Sequence, residues 1–157
     1  MNQSSHLFPS FLAKPVSLIP GRLHAALVSR ALNRMLKLQI DEGELDFMNG
    51  RRLRVEVMDA GIGFVLGFDG TALFPVDARR PVDLVFRGNV HDFLLLAARR
   101  EDSDTLFFQR RLKIEGDTEM GLAIKNFLDS IEVESLPWYR QLDGLLQNGL
   151  NFYERVT

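Results

Sequence analysis

The architecture follows from one alternating segment, Ile62-Gly63-Phe64-Val65-Leu66-Gly67-Phe68-Asp69-Gly70-Thr71-Ala72-Leu73-Phe74-Pro75-Val76. Every second residue from Ile62 to Phe68 is apolar and bulky, and glycines occupy most of the positions between them. Because the side chains of a strand point to alternate faces, this pattern predicts a strand with one large apolar face. Asp69-Gly70 supplies the positive φ angles of a tight hairpin, so a second strand is predicted over residues 71–76. Such strands are typical of a sheet that is covered on one side.

The neighbouring segments extend this sheet and add helices. Residues 52–59 and 82–87 alternate in the same way, and Asn49-Gly50 predicts a further hairpin that joins a strand over 44–48 to the strand over 52–59. Residues 111–115 predict a last strand. Apolar residues at helical spacing predict helices over 21–38, 90–100, 118–131 and, after a break at Pro137, 138–155. Strands and helices are segregated along the chain, which predicts the α+β class with four or five strands.

The composition excludes several classes of site. With 157 residues the chain fits one domain, and its 46% hydrophobic and 25% charged residues indicate a folded globular protein. Cysteine is absent from the sequence, which excludes disulfides, thiolate metal sites and thiol catalysis. The three histidines are scattered. No apolar run reaches the length of about 18 residues that predicts a membrane span, and no secretory signal is visible, so a cytoplasmic location is expected.

Charge is divided unevenly along the chain. Residues 1–40 hold five of the 19 basic residues and no acidic one, so the remainder holds 14 basic and all 21 acidic residues. A leader of net charge +5 therefore precedes a body of net charge -7, and such asymmetry predicts an anionic surface as partner. The basic residues of the leader are Lys14, Arg22, Arg30, Arg34 and Lys37.

The leader has two parts with different expected structures. Residues 7–20 are apolar but contain three prolines, which predicts an extended, apolar arm over residues 1–21. Residues 21–38 predict an amphipathic helix with a basic side. Arm and helix together could dock on an anionic membrane. Alternatively, the helix packs its apolar stripe on the core and leaves its basic side in solvent. The main domain is expected over 22–137, and a C-terminal amphipathic helix over 138–157.

No residue pattern indicates catalysis. Gly61-x-Gly63 is only a fragment of a phosphate-binding loop, and a bend in a strand explains it better. His91-Asp92 is interpreted as a pair at the start of a helix, and Asp102-x-Asp104 as a loop in which Asp104 caps a short helical turn. Four arginine pairs could contact phosphates but are more typical of solvated turns and strand ends: Arg51-Arg52, Arg79-Arg80, Arg99-Arg100 and Arg110-Arg111. We therefore predict no catalytic residue, no metal site and no cofactor.

One block of the sequence is similar to a known family. It covers residues 102–122 and includes Leu106-Phe107-Phe108-Gln109-Arg110-Arg111 and Glu115-Gly116-Asp117-Thr118-Glu119. With matching residues upstream, at 41–47, and downstream, at Lys125-Asn126, it resembles the sterol-carrier-protein-type-2 lipid-binding domain, in the branch of ubiquinone anaerobic biosynthesis accessory factors. The resemblance extends over residues 16–137. It implies a single mixed, mostly antiparallel sheet of five strands, with helices packed on one face and an apolar cavity between them.

The same resemblance implies a non-catalytic role in making ubiquinone without oxygen. The protein would hold the isoprenoid tail of a quinone precursor, and its partners would be peptidase-like iron–sulfur proteins that hydroxylate the ring. No nucleic acid is expected as a partner, and a homodimer is left open. Ordinary core packing explains each candidate lining residue equally well. These candidates are Phe64, Leu66, Phe68, Leu84, Phe86, Phe93, Leu96, Phe107, Ile124, Phe127 and Leu128. The alternative is a membrane-docking assembly factor of the same pathway with a filled core, which would use the five basic residues of the leader.

Overall fold

Five strands and seven α-helices make up the part of the chain that the computed structural model describes, which is residues 7–132 and 139–157 without the side chain of Leu142. A short 3-10 turn, Asp46–Met48, precedes the sheet. In chain order the elements are α1 (Ser10–Ser17), α2 (Gly21–Met35), α3 (Lys37–Asp41), β1 (Arg52–Val57), β2 (Ile62–Phe68), β3 (Leu73–Val76), β4 (Leu84–Gly88), α4 (Val90–Ala97), α5 (Ser103–Phe108), β5 (Lys113–Gly116), α6 (Thr118–Ser130) and α7 (Tyr139–Val156).

The strands form one mixed sheet in the order β3-β2-β1-β4-β5. The central strand β1 pairs antiparallel with β2 and parallel with β4, and the two outer pairs are antiparallel. This confirms the predicted α+β class with a single mixed, mostly antiparallel sheet. The predicted hairpin between β2 and β3 is present as well. Asp69 Oδ1 accepts hydrogen bonds from the backbone N–H groups of Thr71 and Ala72, both at 2.8 Å, and these bonds fix the turn.

The two faces of the sheet differ in polarity, as the alternation predicts. Leu53 of β1 lies opposite Leu66 of β2, and both are buried on the face that the helices cover, here called the inner face. On the outer face, Arg87 donates to Glu56 at 2.5 Å and to Glu115 at 2.7 Å, so one guanidinium group links three strands. The main core therefore lies between the inner face and the helices.

Helix α2 approaches the sheet closely because the residues that face the sheet are small. Ala25 is fully buried against Phe64 and Leu66. A Cβ on Gly21 would lie only 2.4 Å from the carbonyl oxygen of Gly63. The apolar stripe of the leader helix thus packs on the core, and its basic side remains in solvent. The predicted single helix over 21–38 is divided at Leu36, where the backbone leaves the helical region before α3 begins.

Gly21→Ala should lower the free energy of unfolding by about 1–3 kcal/mol, because the added methyl group meets backbone atoms of β2. Urea unfolding followed by circular dichroism measures the change. Gly149→Ala in α7 is the matched control. Apart from its chain neighbours and the backbone of α7, no atom of the described residues lies within 4 Å of a Cβ built at that position. The better helix propensity of alanine should therefore raise stability by up to about 1 kcal/mol. Equal effects of the two substitutions would contradict the close approach of α2.

Over the described residues 7–21, the structure contradicts the predicted extended N-terminal arm, and residues 1–6 of that arm lie outside the described part of the chain. Ser10–Ser17 form a helix that contains Pro15. Pro9 occupies the N-cap of α1, and Pro20 occupies the N-cap of α2. The first N–H groups of a helix have no intrahelical acceptor, so a proline at a helix start loses no hydrogen bond. Two of the three prolines therefore begin helices, and only Pro15 removes a hydrogen bond from one.

A strand over 44–48 was also expected, and this prediction is wrong. Leu45 and Met48 are both buried but lie three positions apart, which suits a helical turn and not an extended strand. Asn49 forms an isolated parallel bridge with Phe68, so Asn49-Gly50 leads into β1 without a hairpin. The hairpin that contains β1 is instead the antiparallel pair of β1 and β2.

Two helix caps were predicted, and one of them is at the expected residue. Asp117 accepts a hydrogen bond from the backbone N–H of Met120 at 2.8 Å and caps α6 as predicted. The cap of α5 is Asp102, which accepts from Thr105 at 2.6 Å, and not Asp104. The last predicted helix corresponds to α7. The break expected at Pro137 and the helix start at Trp138 lie outside the described residues.

Candidate functional site

The eleven candidate lining residues gather into two groups between the inner face of the sheet and the helices that cover it. Phe64 and Leu66 lie beneath α2, together with Ala25. The other nine belong to the main core cluster, which α4, α5 and α6 cover. Its buried members among the candidates are Phe68, Leu84, Phe86 and Ile124, and its half-buried members are Phe93, Leu96, Phe107, Phe127 and Leu128. Val55 packs against both groups and so joins them.

Aromatic rings from three elements meet in the main cluster. Phe86 of β4 contacts Phe93 of α4 edge to face, with the ring centroids 5.3 Å apart. Phe86 also stacks with Phe107 of α5, at a centroid distance of 5.9 Å. Gly88 makes this approach of α4 possible, because a Cβ there would lie 3.2 Å from the ring of Phe93. Phenylalanine rings carry no hydrogen-bonding group, so this surface suits hydrocarbon.

The helices do not seal the inner face along its full length. Val55 lies on the central strand, on the inner face and opposite Phe86, yet it is only half-buried. Val57 and Ile62, which follow on the same face, are half-buried too. A closed helical layer would bury a central strand completely. The inner face is therefore partly exposed at the end of β1 and the start of β2. We call this partly exposed apolar surface the inner groove and define it by Val55, Val57, Ile62 and Phe93.

Helix α1 lies at the rim of the inner groove. The backbone N–H of Phe8 donates to Asp59 at 2.7 Å. Ser17 lies against Gly61, where an added Cβ would be 3.1 Å from the Ser17 Cβ. Asp59 and Gly61 belong to the turn between β1 and β2, which is the end of the sheet where the inner face is accessible. No residue of α1 is buried, so the helix borders the groove without filling it.

A chain of polar contacts fastens α7 to α4. Arg111 donates to Asp92 at 2.6 Å and to His91 Nδ1 at 3.2 Å, and His91 Nε2 lies 3.1 Å from Glu154 Oε1. A guanidinium group can only donate, so Nδ1 accepts and Nε2 carries the proton that it shares with Glu154. Asp92 also completes the capping box of α4 with Asn89, which confirms the helix-start interpretation of His91-Asp92. Sequence reasoning missed the roles of Arg111 and Glu154, which are distant in the chain.

Tyr153 packs between α4 and the N-terminal segment. Its ring stacks on His91 with centroids 5.8 Å apart and on Phe8 at 6.5 Å, and the residue is 8% exposed. Burial raises the pKa of the Tyr153 hydroxyl to about 12, and the negative charges of Asp59 and Asp92 act in the same direction.

Stability should fall as the pH rises from about 10 to 12, because the folded protein holds the Tyr153 proton more tightly than the unfolded chain does. The stabilisation is fully present at pH values below the tyrosine pKa of the unfolded chain. It is lost as the pH rises through the Tyr153 pKa of the folded protein. Its size is on the order of 2 kcal/mol. Urea unfolding at pH 9 and at pH 11.5 should show a larger loss for the unchanged protein than for Tyr153→Phe, which cannot ionise. Equal losses would mean that the phenol does not titrate in this way.

The five basic residues of the leader all lie on the surface. Lys14, Arg22, Arg30, Arg34 and Lys37 are exposed, and Lys37 pairs with Asp41 at 3.0 Å. Exposed apolar side chains accompany them on α2, where Leu23 and Leu27 share one line of the helix with two of the arginines. Within residues 7–132 and 139–157, no group of acidic and histidine side chains could hold a metal ion, and no helix could cross a membrane.

A mixed five-stranded sheet with an aromatic inner face beneath helices defines a class of small α+β domains with apolar interiors. The chain belongs to the SCP-2 sterol transfer family, whose model matches residues 32–129. It is 42% identical over 132 residues to the ubiquinone biosynthesis accessory factor UbiT of Escherichia coli strain K12, and equally to that of Escherichia coli O157:H7. These matches cover 84% of this chain and 75% of each relative. Among solved structures, the UbiJ-SCP2 ubiquinone synthesis protein shares the fold, with a TM-score of 0.56 and 19% identity over 68% of this chain and 94% of that one.

Proposed function

We propose that the protein is a non-catalytic lipid-binding accessory factor of oxygen-independent ubiquinone biosynthesis, which holds the isoprenoid tail of quinone precursors in the inner groove. The accessible inner face carries this proposal. Val55 of the central strand and Phe93 of α4 leave apolar surface open beside the buried Phe86. The family to which the chain belongs, and the name of the relatives from Escherichia coli, support the same assignment.

An isoprenoid chain would gain affinity in this groove from burial alone. Each buried CH₂ group contributes about 0.8 kcal/mol, so even a short part of the tail supplies several kcal/mol. A long tail exceeds the volume of about 300–1,000 Å³ that ligand pockets usually offer. Part of the molecule would therefore project past the rim at α1, where Phe8 and Ser17 contact the turn between β1 and β2.

The projecting end would present the head group to other proteins. In this proposal the partners are peptidase-like iron–sulfur proteins, which carry out the hydroxylation, and this chain contributes binding and orientation only. The titratable residues His91 and Asp92 of α4 have a structural role, because both accept hydrogen bonds from Arg111. The proposal therefore assigns no catalytic side chain to this protein.

Lipid extraction tests the proposal. Protein purified from quinone-producing cells, extracted with organic solvent and analysed by mass spectrometry, should yield an isoprenoid quinone or one of its precursors. Protein without any isoprenoid would contradict it. The pathway is tested separately, by deleting the gene and measuring ubiquinone with and without oxygen. We expect a loss only in the absence of oxygen, and an equal loss under both conditions would contradict the assignment to the oxygen-independent route.

A membrane-docking role is the second candidate, and the exposed surface of α1 and α2 favours it. Leu23, Leu27, Arg30 and Arg34 follow each other at helical spacing along one line of α2, and all are exposed. Leu18, directly after α1, is 82% exposed. Apolar side chains next to guanidinium groups fit the surface of an anionic bilayer. Docking is compatible with lipid binding, but it would be the whole function if the groove carried no lipid.

Vesicle flotation tests this second candidate. Phe11→Ser combined with Leu18→Ser should weaken binding to vesicles that contain phosphatidylglycerol, because both side chains are largely exposed in or beside α1. Phe108→Ser is the matched control, since Phe108 is 90% exposed but lies on α5. Equal flotation of both variants would contradict docking through α1. Flotation of a protein that yields no isoprenoid would favour docking over lipid binding.

A further inference from the structure

A pocket of about 510 Å³ opens on the outer face of the sheet, away from the inner groove. Its floor crosses three strands, because Arg52 of β1 lies opposite Gly67 of β2, which in turn lies opposite Phe74 of β3. The ring of Phe74 covers Gly67, where a Cβ would lie 2.6 Å from the ring. Phe74 is nevertheless 41% exposed, so an aromatic surface forms part of the pocket.

Four guanidinium groups and one carboxylate surround this aromatic surface. Arg22, Arg51, Arg52 and Arg80 line the pocket with Asp77. A hydrogen bond from the backbone N–H of Arg79 lowers the pKa of Asp77, and the charges of Arg79, Arg22 and Arg80 lower it further. Asp77 thus remains ionised and offsets one positive charge, which leaves a clear excess of positive charge around the pocket.

The arginines of the pocket differ in how far the protein already engages them. Arg51 contacts Asp117 at 3.5 Å, and Arg52 donates to the carbonyl oxygen of Pro81 at 3.1 Å. In the described part of the chain, the guanidinium groups of Arg22 and Arg80 have no hydrogen bond and no close ion pair, and both residues are exposed. Donors of two guanidinium groups are therefore available at the rim of an apolar floor.

We propose that this outer pocket binds a phosphate group, with Arg22 and Arg80 as the principal ligands and with Phe74 against the apolar part of any lipid that carries the phosphate. Guanidinium groups bind phosphate through paired hydrogen bonds, and several of them match a doubly charged phosphate better than a single carboxylate. The phosphate could belong to a lipid head group or to a free phosphate. The site is independent of the tail-binding proposal, because its floor of Arg52, Gly67 and Phe74 lies on the outer face of the sheet and none of the residues that define the inner groove lines it.

Titration with octyl phosphate and with inorganic phosphate tests the proposal, with calorimetry for affinity and amide NMR for location. Octyl phosphate should shift the amide signals of Gly67 and Phe74 and bind at least tenfold more tightly than inorganic phosphate, because Phe74 contacts the alkyl chain. This result would assign the site to lipid head groups, whereas equal affinities with the same shifts would assign it to free phosphate. Shifts confined to Val55 and the inner groove would overturn the proposal.

The double variant Arg22→Gln with Arg80→Gln should weaken octyl phosphate binding at least tenfold. Both side chains are exposed, so the fold should be retained. Arg79→Gln is the matched control, because Arg79 is adjacent to Arg80 but its side chain is 93% exposed and does not line the pocket. An equal loss of affinity in the control would show that general positive charge, and not this pocket, attracts the phosphate, and would overturn the proposal.

Discussion

Leu96→Trp should lower the amount of isoprenoid lipid that copurifies with the protein by at least about tenfold, which corresponds to a loss of about 1.4 kcal/mol in binding. Leu96 is half-buried on α4 and packs in the same cluster as Phe93 and Phe107. An indole group is larger than an isobutyl group, so it would occupy volume that the chain of the lipid needs. The measurement is the ratio of isoprenoid to protein after solvent extraction, determined by mass spectrometry.

Ala97→Trp provides the matched control for this experiment. Ala97 is the next residue of α4 but is exposed, so the same indole group should leave the copurified lipid unchanged. Circular dichroism and the midpoint of thermal unfolding establish that both variants remain folded. If Leu96→Trp retained as much lipid as Ala97→Trp, the tail would not lie against Leu96, which is one helical turn from Phe93 of the inner groove. If both lost their lipid, a general effect on α4 would be responsible.

The sheet was predictable because its information is local. The period of two assigns Leu53, Leu66 and Phe86 to one face without any knowledge of their neighbours, and the register places them on the same face. Burial of Phe64, Phe68 and the other sheet residues on the candidate list follows from the same pattern. That these residues contact a lipid stays a prediction, because a pattern that marks an apolar face is identical for a filled core and for a lined groove.

The inner groove itself was beyond sequence reasoning, because it depends on the distance between layers. Val55 has the same place in the alternation as Leu53, yet Leu53 is buried and Val55 is half-buried. The helices cover the start of β1, at Leu53, more completely than they cover its end, at Val55. The close approach of α2 at Gly21 depends on the absence of a side chain, and a sequence does not show which glycine meets which backbone atom.

The arginine pairs show how one sequence feature divides into different roles. Arg99 and Arg110 have positive φ angles of 55° and 58°, just after the ends of α4 and α5. There the backbone N–H groups of Arg100 and Arg111 donate to the carbonyl groups of Leu95 and Leu106, so these two pairs lie at turns that end helices. Turns were expected, but Arg111 is half-buried and bound to Asp92, so it is not the solvated residue that the sequence suggested. The remaining two pairs contribute Arg51, Arg52 and Arg80 to the outer pocket. Only the fold distinguishes the two roles.

The errors near the N-terminus have a single physical origin. Prolines were taken as evidence against a helix, but their effect depends on position, and Pro9 and Pro20 stand at N-caps. The apolar residues of α1 then remain exposed, among them Phe11 at 72%. The sequence pattern correctly identified an apolar leader. It failed to predict the conformation, because the N-cap positions of prolines can be recognised only after the ends of the helices are known.

Arg111→Met should destabilise the protein by about 3–5 kcal/mol, because it leaves the carboxylate of Asp92 buried without its partner. The side chain of Asp92 is 7% exposed, and Arg111 donates both to it and to His91. Through His91 the same contacts hold Glu154 of α7. The loss should therefore reach α7, and hydrogen exchange should show faster exchange there as well as a lower free energy of unfolding in urea.

Two comparisons separate the buried charge from other effects of this substitution. Adding Asp92→Asn to Arg111→Met removes the unpaired charge, so the double variant should be more stable than Arg111→Met alone. Lys37→Met breaks an ion pair whose side chains are 76% and 60% exposed, and it should cost less than about 1 kcal/mol. A loss for Arg111→Met as small as that for Lys37→Met would show that the Asp92 contact contributes little. In that case the attachment of α7, and through it the position of α4 above the inner groove, would have to depend on the apolar contacts of Leu150 and Tyr153.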